Sequence, residues 1–261
     1  MIPPGSGFPT DHAGPKTPVA RTAADVVRLA GSAPSIAHLD GRSSVCRACP
    51  RLVEWREHVA DIKRASYADD DYWGRPVTGW GDPRPKIVVV GLAPAAHGGN
   101  RTGRIFTGDR SGDWLFAALH RAGLATQPAS TSAYDGQQLL HTRITLPVRC
   151  APPANRPTTE ERDACAPWLH REVRMLLPTA SAFVVLGGFG WTSTWSALRA
   201  AGAAVPNRVP AFGHGREVGL EGGPTVLGCY HVSQQNTFTG RLTEAMLDDV
   251  VGRAKELAGL A

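Results

Sequence analysis

Lysine and long apolar runs are what this sequence has least of. Lysine occurs only at positions 16, 63, 86 and 255, so arginine supplies nearly all of the 28 basic residues. The net charge of +5 permits a polyanionic partner, but a GC-rich coding sequence gives the same arginine bias, so the charge does not require one. No stretch has the apolar length of a membrane span, and the first residues lack the apolar core of a signal peptide. We therefore expect a cytoplasmic protein that makes no contact with a membrane.

The sequence also lacks the dense cysteine framework of a small secreted domain. Thiols stay reduced in the cytosol, so the five cysteines indicate ligation or catalysis rather than disulfides. Cys46 and Cys49 form a C-x2-C pair, and Cys150 and Cys165 follow about a hundred residues later. This spacing suits either a zinc site or an iron–sulfur site. Cys229 lies in an apolar run and is interpreted as a small buried side chain.

Apolar β-branched runs alternate with helical patterns along the chain. This alternation predicts an α/β fold in which a mainly parallel four-stranded sheet lies between layers of helices. The predicted strands are 87–90, 142–148, 182–186 and 225–229. The predicted helices are 22–29, 49–60, 112–120, 158–177, 191–200 and 242–257. Residues 1–35 are expected to be mostly disordered or loosely packed, because their first part is rich in Pro, Gly and Thr, and 36–261 are expected to form a single domain.

The stretch from Lys86 to Asp109 is central to this pattern. A buried strand ends at Gly91, a glycine-rich turn follows, and a helix begins near Ser111 or Asp113. A strand, a glycine-rich turn and a helix build the ligand site of an open α/β sheet. The turn contains neither Gly-x-Gly-x-x-Gly nor a P-loop, so we expect it to bind something other than a nucleotide phosphate.

The loops that follow the four strands are expected to meet in one crevice, because parallel strands have their carboxyl ends at the same edge of a sheet. Three of these loops carry motifs: Gly91-Leu-Ala-Pro-Ala-Ala-His-Gly-Gly-Asn-Arg-Thr-Gly-Arg with Phe106-Thr-Gly-Asp109, Cys150-Ala-Pro-Pro-Ala-Asn155-Arg-Pro, and His231-Val-Ser-Gln-Gln-Asn-Thr-Phe-Thr-Gly240. In this order they resemble the motifs of the uracil-DNA glycosylase superfamily, and most closely those of its iron–sulfur family 5, the type B enzymes. The resemblance covers about Val45 to Arg253 and implies a three-layer α-β-α sandwich.

The resemblance implies a pocket for a flipped base. A base inside a duplex must leave the stack before an enzyme can act on it, and the pocket then needs an aromatic floor and an amide for the base edge. Phe106 and Asn155 match these two roles, and Gly91 and Ala93 are expected beside them. Outside this motif order, Phe106 would be interpreted as a core residue and Asn155 as a loop residue before the next helix.

Breaking the bond between base and sugar needs two further groups. It develops negative charge on the departing base and positive charge on the sugar, so the site needs a donor for the base and a carboxylate near the sugar. His231 resembles the family histidine that donates to the base. Asp109 is the candidate carboxylate, and its structural alternative is an aspartate that caps a helix. The structural alternative for His231 is a histidine at the end of a strand whose hydrogen bonds are satisfied within the fold. His97 is a rival or an assistant to Asp109.

The first motif departs from that of several other branches of the superfamily, which place an acidic or amide side chain just after the strand. This chain has Ala93, Ala95 and Ala96 there, as family 5 does. The group that activates water must therefore come from elsewhere, which is why Asp109 is the candidate. The loss of polar groups from the pocket wall also implies looser selection of the base.

Two further sets of residues follow from the resemblance. The loop that enters the duplex in the family corresponds to Gln234, Gln235 and Asn236, and Arg241 just beyond it suits a phosphate. The ligands of the family's [4Fe–4S] cluster correspond to Cys46, Cys49, Cys150 and Cys165. The expected role of the cluster is structural, because it closes a long loop that contains Asn155 and so removes chain entropy from the open state.

The sequence therefore predicts a monofunctional DNA N-glycosylase that acts on DNA containing uracil. We expect it to be a monomer in bacterial cytoplasm, bound to the nucleoid through DNA. Hypoxanthine and ethenocytosine are further expected substrates. Two alternatives of other classes remain. One is an iron–sulfur protein that binds damaged bases or nucleic acid without cleavage, and the other is an iron–sulfur redox protein. A redox carrier has no need for a stacking aromatic beside an amide and a histidine.

Overall fold

The computed structural model of the chain describes residues 1–260. Its α-helices are α1 Ala23–Gly31, α2 Ile36–Ser44, α3 Pro50–Ile62, α4 Gly99–Thr102, α5 Arg110–Arg121, α6 Thr159–Leu176, α7 Gly188–Ala201, α8 Gln234–Phe238 and α9 Glu244–Leu257. Its strands are β1 Trp80–Gly81, β2 Ile87–Val90, β3 Thr142–Thr145, β4 Ala182–Leu186, β5 Glu217–Gly219 and β6 Thr225–Cys229. Single 3₁₀ turns lie at Ala65–Tyr67 and Pro153–Asn155. Helices thus separate the central strands along the chain.

The strands form one sheet in the order β1-β3-β2-β4-β6-β5. The four inner strands are parallel, and they are the four that the sequence predicts. The sheet has six strands rather than four, because β1 and β5 pair antiparallel at its two edges. These edge strands are only two and three residues long, which is too short for a residue pattern to reveal them.

Helices cover both faces of the sheet. Side chains alternate across a strand, so Ile87 and Val89 pack on one face with residues of α5 and α9. Val88 and Val90 pack on the other face with residues of α6 and α7. Every residue of β2 is therefore buried, as expected of a strand covered on both sides. The architecture is the predicted three-layer α-β-α sandwich.

The N-terminal segment differs from the prediction of a disordered or loosely packed chain. The Asp11 carboxylate lies 2.7 Å from the Arg75 guanidinium, and both side chains are buried. The Phe8 ring lies 5.1 Å from the Trp73 ring, and the buried face of α1 packs against α6. These contacts anchor parts of the segment, although of residues 1–20 only Ala13 and Ala20 are buried.

Four charged side chains form a buried network beneath one face of the sheet. Arg143 of β3 donates to Asp40 of α2 at 2.8 Å and to Glu172 of α6 at 2.7 Å. Arg149, after β3, donates to Glu172 at 2.6 Å and lies 3.3 Å from Asp40. All four are 3% exposed or less, so each charge depends on its partners for solvation. The network joins α2, β3 and α6.

Across residues 1–260, no helix combines the length and apolar character needed to span a membrane.

Candidate active site and four-cysteine site

One cleft of about 530 Å³ lies at the carboxyl edge of the sheet, where the loops after β2, β3 and β6 meet. Seven of the predicted site residues line it, namely Ala93, Phe106, Asp109, Asn155, His231, Gln234 and Gln235. These residues come from three loops that are far apart in the sequence. The parallel sheet brings them together because its carboxyl ends face one edge.

Phe106 lies against the wall of the cleft in an uncommon backbone conformation. Its φ is +54°, a left-handed value that is costly for a bulky residue and persists only where the surroundings fix it. Its ring lies 6.2 Å from the His231 ring with a tilt of 43°. Gly91, predicted beside the base, instead lies behind Phe106, outside the residues that line the cleft. A Cβ at Gly91 would come within 3.1 Å of the Phe106 ring, so the glycine admits that ring.

Asp109 is both a helix cap and a cleft residue. Its Oδ1 accepts a hydrogen bond of 3.0 Å from the Gly112 amide and so caps α5, while its carboxyl group lines the cleft. A Cβ at Gly98 would overlap Oδ2, so that glycine is needed for the carboxyl group to lie where it does. Burial raises the pKa of Asp109, and the amides of Gly112 and Ser111 oppose this rise. The helix-cap interpretation is thus observed, and the position at the cleft leaves the carboxyl group available to a ligand.

His97 has other contacts. Its Nδ1 lies 2.9 Å from the Tyr72 hydroxyl, and it is not among the residues that line the cleft. Burial lowers the pKa of His97, and the nearby Arg64 and Arg101 lower it further. The geometry therefore favours Asp109 over His97 as the group that would act as a base beside a ligand.

His231 follows β6 and enters the cleft from the opposite side. Within residues 1–260 its Nδ1 is buried and has no hydrogen-bond partner. Burial lowers the pKa of the imidazole to about 4, so the ring is neutral at pH 7. A neutral ring can donate one hydrogen bond without placing a full charge in the cleft. The carbonyl of His231 accepts 2.8 Å from the Asn236 side chain, which fixes the start of this loop.

Asn155 is held by an unusual turn. Ala154 and Asn155 have φ values of +52° and +55°, directly after Pro152 and Pro153. Asparagine tolerates this left-handed conformation better than most residues, but alanine does not. The side-chain amide of Asn155 is exposed at the cleft, and within residues 1–260 this group has no hydrogen-bond partner. It is therefore free to bind a ligand.

The residues predicted to contact DNA divide into two groups. Gln234 and Gln235 begin α8 and are exposed at the cleft. Asn236 is half-buried and holds its own loop instead, because its amide donates to His231. Arg241 lies outside the cleft lining, with its guanidinium 4.7 Å from the centre of the Tyr230 ring.

Two exposed arginines of the cleft escaped prediction. Arg110 and Arg156 are exposed and line the cleft. Each directly follows a predicted site residue, Asp109 and Asn155 respectively. That adjacency was the available signal, because an arginine beside a pocket residue is well placed for a phosphate.

The four predicted ligand cysteines line a second cavity. Cys49 directly precedes α3, Cys165 lies in α6, and Cys46 and Cys150 lie in the adjoining loops. Burial raises the pKa of Cys49 to about 12, and the neighbouring Cys150 and Cys46 add to the rise. Burial raises the pKa of Cys46 and Cys165 as well, with further contributions from Cys150. Cys46, Cys49 and Cys165 therefore resist ionisation, and a cationic centre is needed if they are to be thiolates.

The arrangement of these thiols differs from a compact single-ion site. Among residues 1–260, no three His, Cys, Asp or Glu side chains are grouped closely enough to hold one metal ion. The four cysteines nevertheless line one cavity, so they surround a volume larger than the position of a single ion. Cys229 lies apart from them in β6 and is fully buried, which confirms its interpretation as a core side chain.

Comparison with known proteins agrees with the fold and the motifs. The model of the uracil DNA glycosylase superfamily matches residues 78–255. A type-5 uracil-DNA glycosylase of Mycobacterium bovis is 59% identical over 259 residues, which is 99% of this chain and 95% of that protein. One of Thermus thermophilus is 48% identical over 83% of this chain and 95% of its own length. A type-4 uracil-DNA glycosylase of Pyrobaculum aerophilum is 33% identical over 41% of this chain and 47% of its own length. This chain belongs to the uracil DNA glycosylase superfamily.

Proposed function

We propose that the protein is a monofunctional DNA glycosylase that excises uracil from DNA and leaves an abasic site. The observation that carries this proposal is the cleft, in which an aromatic ring, a free amide, a neutral histidine and a buried carboxyl group lie together. The relatives from Mycobacterium bovis and Thermus thermophilus, which cover most of this chain, are both type-5 uracil-DNA glycosylases, and this supports the proposal. The reaction would take place in the cytoplasm on chromosomal DNA, with the protein acting as a monomer.

Each group has a role that suits its surroundings. The flipped base stacks on Phe106, and the Asn155 amide donates to and accepts from its edge. His231, neutral because burial lowers its pKa to about 4, donates a hydrogen bond to the oxygen that gains negative charge as the base departs. Asp109 orients the attacking water and stabilises the positive charge that forms on the sugar. The cleft wall directly after β2 consists of Leu92, Ala93, Pro94 and Ala95, none of which has a polar side chain, and this favours acceptance of hypoxanthine and ethenocytosine beside uracil.

Helix α8 suits entry into the duplex. Gln234 and Gln235 are exposed at the cleft, and Phe238 at the end of the same helix is 68% exposed. A large exposed apolar side chain beside a base pocket can fill the gap that a flipped base leaves. Arg110 and Arg156 then lie at the rim, where backbone phosphates of the DNA would pass.

We also propose that Cys46, Cys49, Cys150 and Cys165 hold a [4Fe–4S] cluster. The set of four thiols that share one cavity fits such a group. The cluster would supply structure by tying α3 and α6 together, and the turn that carries Asn155 lies between two of its ligands.

A panel of oligonucleotides, each with one lesion, tests the proposed activity. We expect purified protein to convert the uracil-containing strand to an abasic product. Undamaged strands are the matched control. If the protein bound the uracil strand tightly but left its glycosidic bond intact, it would be a reader of damaged bases, and the proposal would be wrong.

Asn155→Ala is expected to lower excision of uracil by at least about tenfold, because one bidentate base contact is worth roughly 1–3 kcal/mol. Alanine tolerates the left-handed φ of this residue less well than asparagine does, so a small fall in melting temperature is expected, without unfolding of the chain. Single-turnover kinetics and a melting curve check both points. Excision at the parent rate would show that the side-chain amide of Asn155 does not take part in recognition of the base.

The purified protein is expected to be brown and to contain about four iron atoms per chain. Cys46→Ser and Cys165→Ser should lower the iron content and the melting temperature. Cys229→Ala is the control, because Cys229 is buried in β6 away from the four-cysteine cavity. Iron analysis and the visible spectrum check this, and a colourless, active preparation that contains zinc would contradict it.

A further inference from the structure

A buried arginine connects the four-cysteine cavity to the catalytic loop. Arg56 lies in α3 and is 1% exposed. Its Nη1 donates to Cys150 Sγ at 2.9 Å, and its Nη2 donates to the Cys46 carbonyl at 3.1 Å. Nη2 also lies 3.7 Å from the Glu57 carboxylate. The guanidinium thus contacts two of the four cysteine residues at once.

The backbone of the same residue contacts the turn beneath Asp109. The Arg56 carbonyl accepts a hydrogen bond of 3.1 Å from the Asn100 side chain, which is fully buried in α4. The carbonyl of Asn100 in turn accepts 3.0 Å from the Gly74 amide. Helix α4 is only one turn long, so its position depends on such contacts rather than on its own stability.

Helix α4 fixes the place of the Asp109 carboxyl group. Gly98, just before α4, lies directly under Asp109 Oδ2. Arg101 of α4 donates to the His97 carbonyl at 2.8 Å and to the Gly108 carbonyl at 3.1 Å. A shift of α4 would therefore move Asp109 relative to the cleft.

We propose that Arg56 is a positioning residue that ties the four-cysteine cluster to the α4 turn on which Asp109 lies. This inference rests on the proposed function, since it takes the cysteines as cluster ligands and Asp109 as catalytic. One end of Arg56 balances negative charge on a cysteine sulfur, and its carbonyl holds Asn100. The cluster thereby acts on catalysis through the place of α4 and without any redox step.

Two substitutions separate the two ends of this connection. Arg56→Gln removes the charge beside Cys150 Sγ, and Asn100→Ala removes the hydrogen bond to the Arg56 carbonyl. Arg56→Lys retains the charge. Arg28→Gln is a matched control, because Arg28 lies in α1 with its side chain 66% exposed. Cluster reduction potential, iron content, kcat and KM are measured on the iron-loaded, full-length protein.

We expect Arg56→Gln to lower the reduction potential, because a nearby positive charge favours the more negative reduced cluster. Its kcat for uracil excision should fall by about 10- to 100-fold, as expected for a misplaced catalytic group, with little change in KM. Arg56→Lys should restore most of the potential. Asn100→Ala should lower kcat to a similar extent and leave the potential unchanged. The double variant should be no slower than the slower single variant, because both substitutions break one connection.

Other results would overturn the inference. An unchanged potential in Arg56→Gln would show that the arginine does not act on the cluster, and losses of kcat that multiply in the double variant would show two independent effects. Loss of iron from both Arg56 variants would make the residue a requirement for assembly rather than for positioning. A parent protein without an iron–sulfur cluster, or without uracil excision, would instead contradict the proposed function, which the same measurements reveal first.

Discussion

Asp109→Asn is expected to slow uracil excision by roughly 10²–10⁴-fold, the usual range for a positioned acid or base. Asparagine also caps helices well, so the hydrogen bond from Gly112 to the side chain and the stability of α5 should survive. The substitution removes the charge that orients water and faces the sugar cation, both of which matter only near the transition state. Affinity for uracil-containing DNA should hold or rise slightly, because a negative charge near the phosphates is gone.

Single-turnover rates and equilibrium binding, measured on the same preparations, check this expectation. Asp113→Asn is the matched control, because Asp113 lies in the first turn of the same helix, is exposed and does not line the cleft. Burial raises the pKa of Asp109, so the parent should lose activity on acidification at a higher pH than an ordinary aspartate would. If affinity for the uracil-containing DNA and turnover fell equally in Asp109→Asn, the role of Asp109 would be limited to capping α5.

His231→Ala is expected to slow excision by about 10²–10³-fold, as the loss of one oxyanion donor does in other enzymes. The loss should be smaller for 5-fluorouracil, because that base is a better leaving group and needs less help with its negative charge. His231→Gln retains a donor and should recover part of the rate. His120→Ala, an exposed residue near the end of α5, is the control. Equal losses for uracil and 5-fluorouracil would show that His231 does not stabilise the departing base.

The same histidine should affect the pH dependence of stability. Its pKa is about 4 in the folded chain, whereas a histidine in the unfolded chain titrates near 6.5. Between these values the unfolded state binds more protons at this site, so stability falls as pH drops from about 6.5 towards 4. Denaturant unfolding of His231→Ala across this range should show a weaker loss than the parent. Titration of His231 should cause no change in the turnover rate of the parent near pH 6.5, because the folded protein holds this ring neutral there.

The inner part of the fold was predictable because its signal is local. Each of the four parallel strands is a short apolar run that ends in a loop, and their shared direction then places the motif loops at one edge. The edge strands β1 and β5 were not predictable, because two or three residues carry no pattern. The contacts of the N-terminal segment were not predictable either, since its ion pair joins Asp11 to Arg75 across a long stretch of chain.

The site was predictable as a set of residue types but not in its geometry. Motif order indicated Phe106, Asn155 and His231, and the structure adds why Phe106 fits, namely the space left by Gly91. The second role of Asn236, which holds the His231 loop, needs coordinates, because a side chain to backbone contact leaves no mark in the sequence. Arg56 was invisible for the same reason, since it contacts a cysteine that lies 94 positions away.

The buried charges of Asp40, Arg143, Arg149 and Glu172 have a consequence for how the proposed cluster would be assembled. Separating such a pair leaves a charge in the interior at a cost of about 3–5 kcal/mol, so α2, β3 and α6 should open together or not at all. Cys46 follows α2, Cys150 follows Arg149, and Cys165 lies in α6. Three of the four thiols are thus held by one cooperative unit. We expect iron to enter a pocket that is already formed, so that loading completes the fold rather than initiating it.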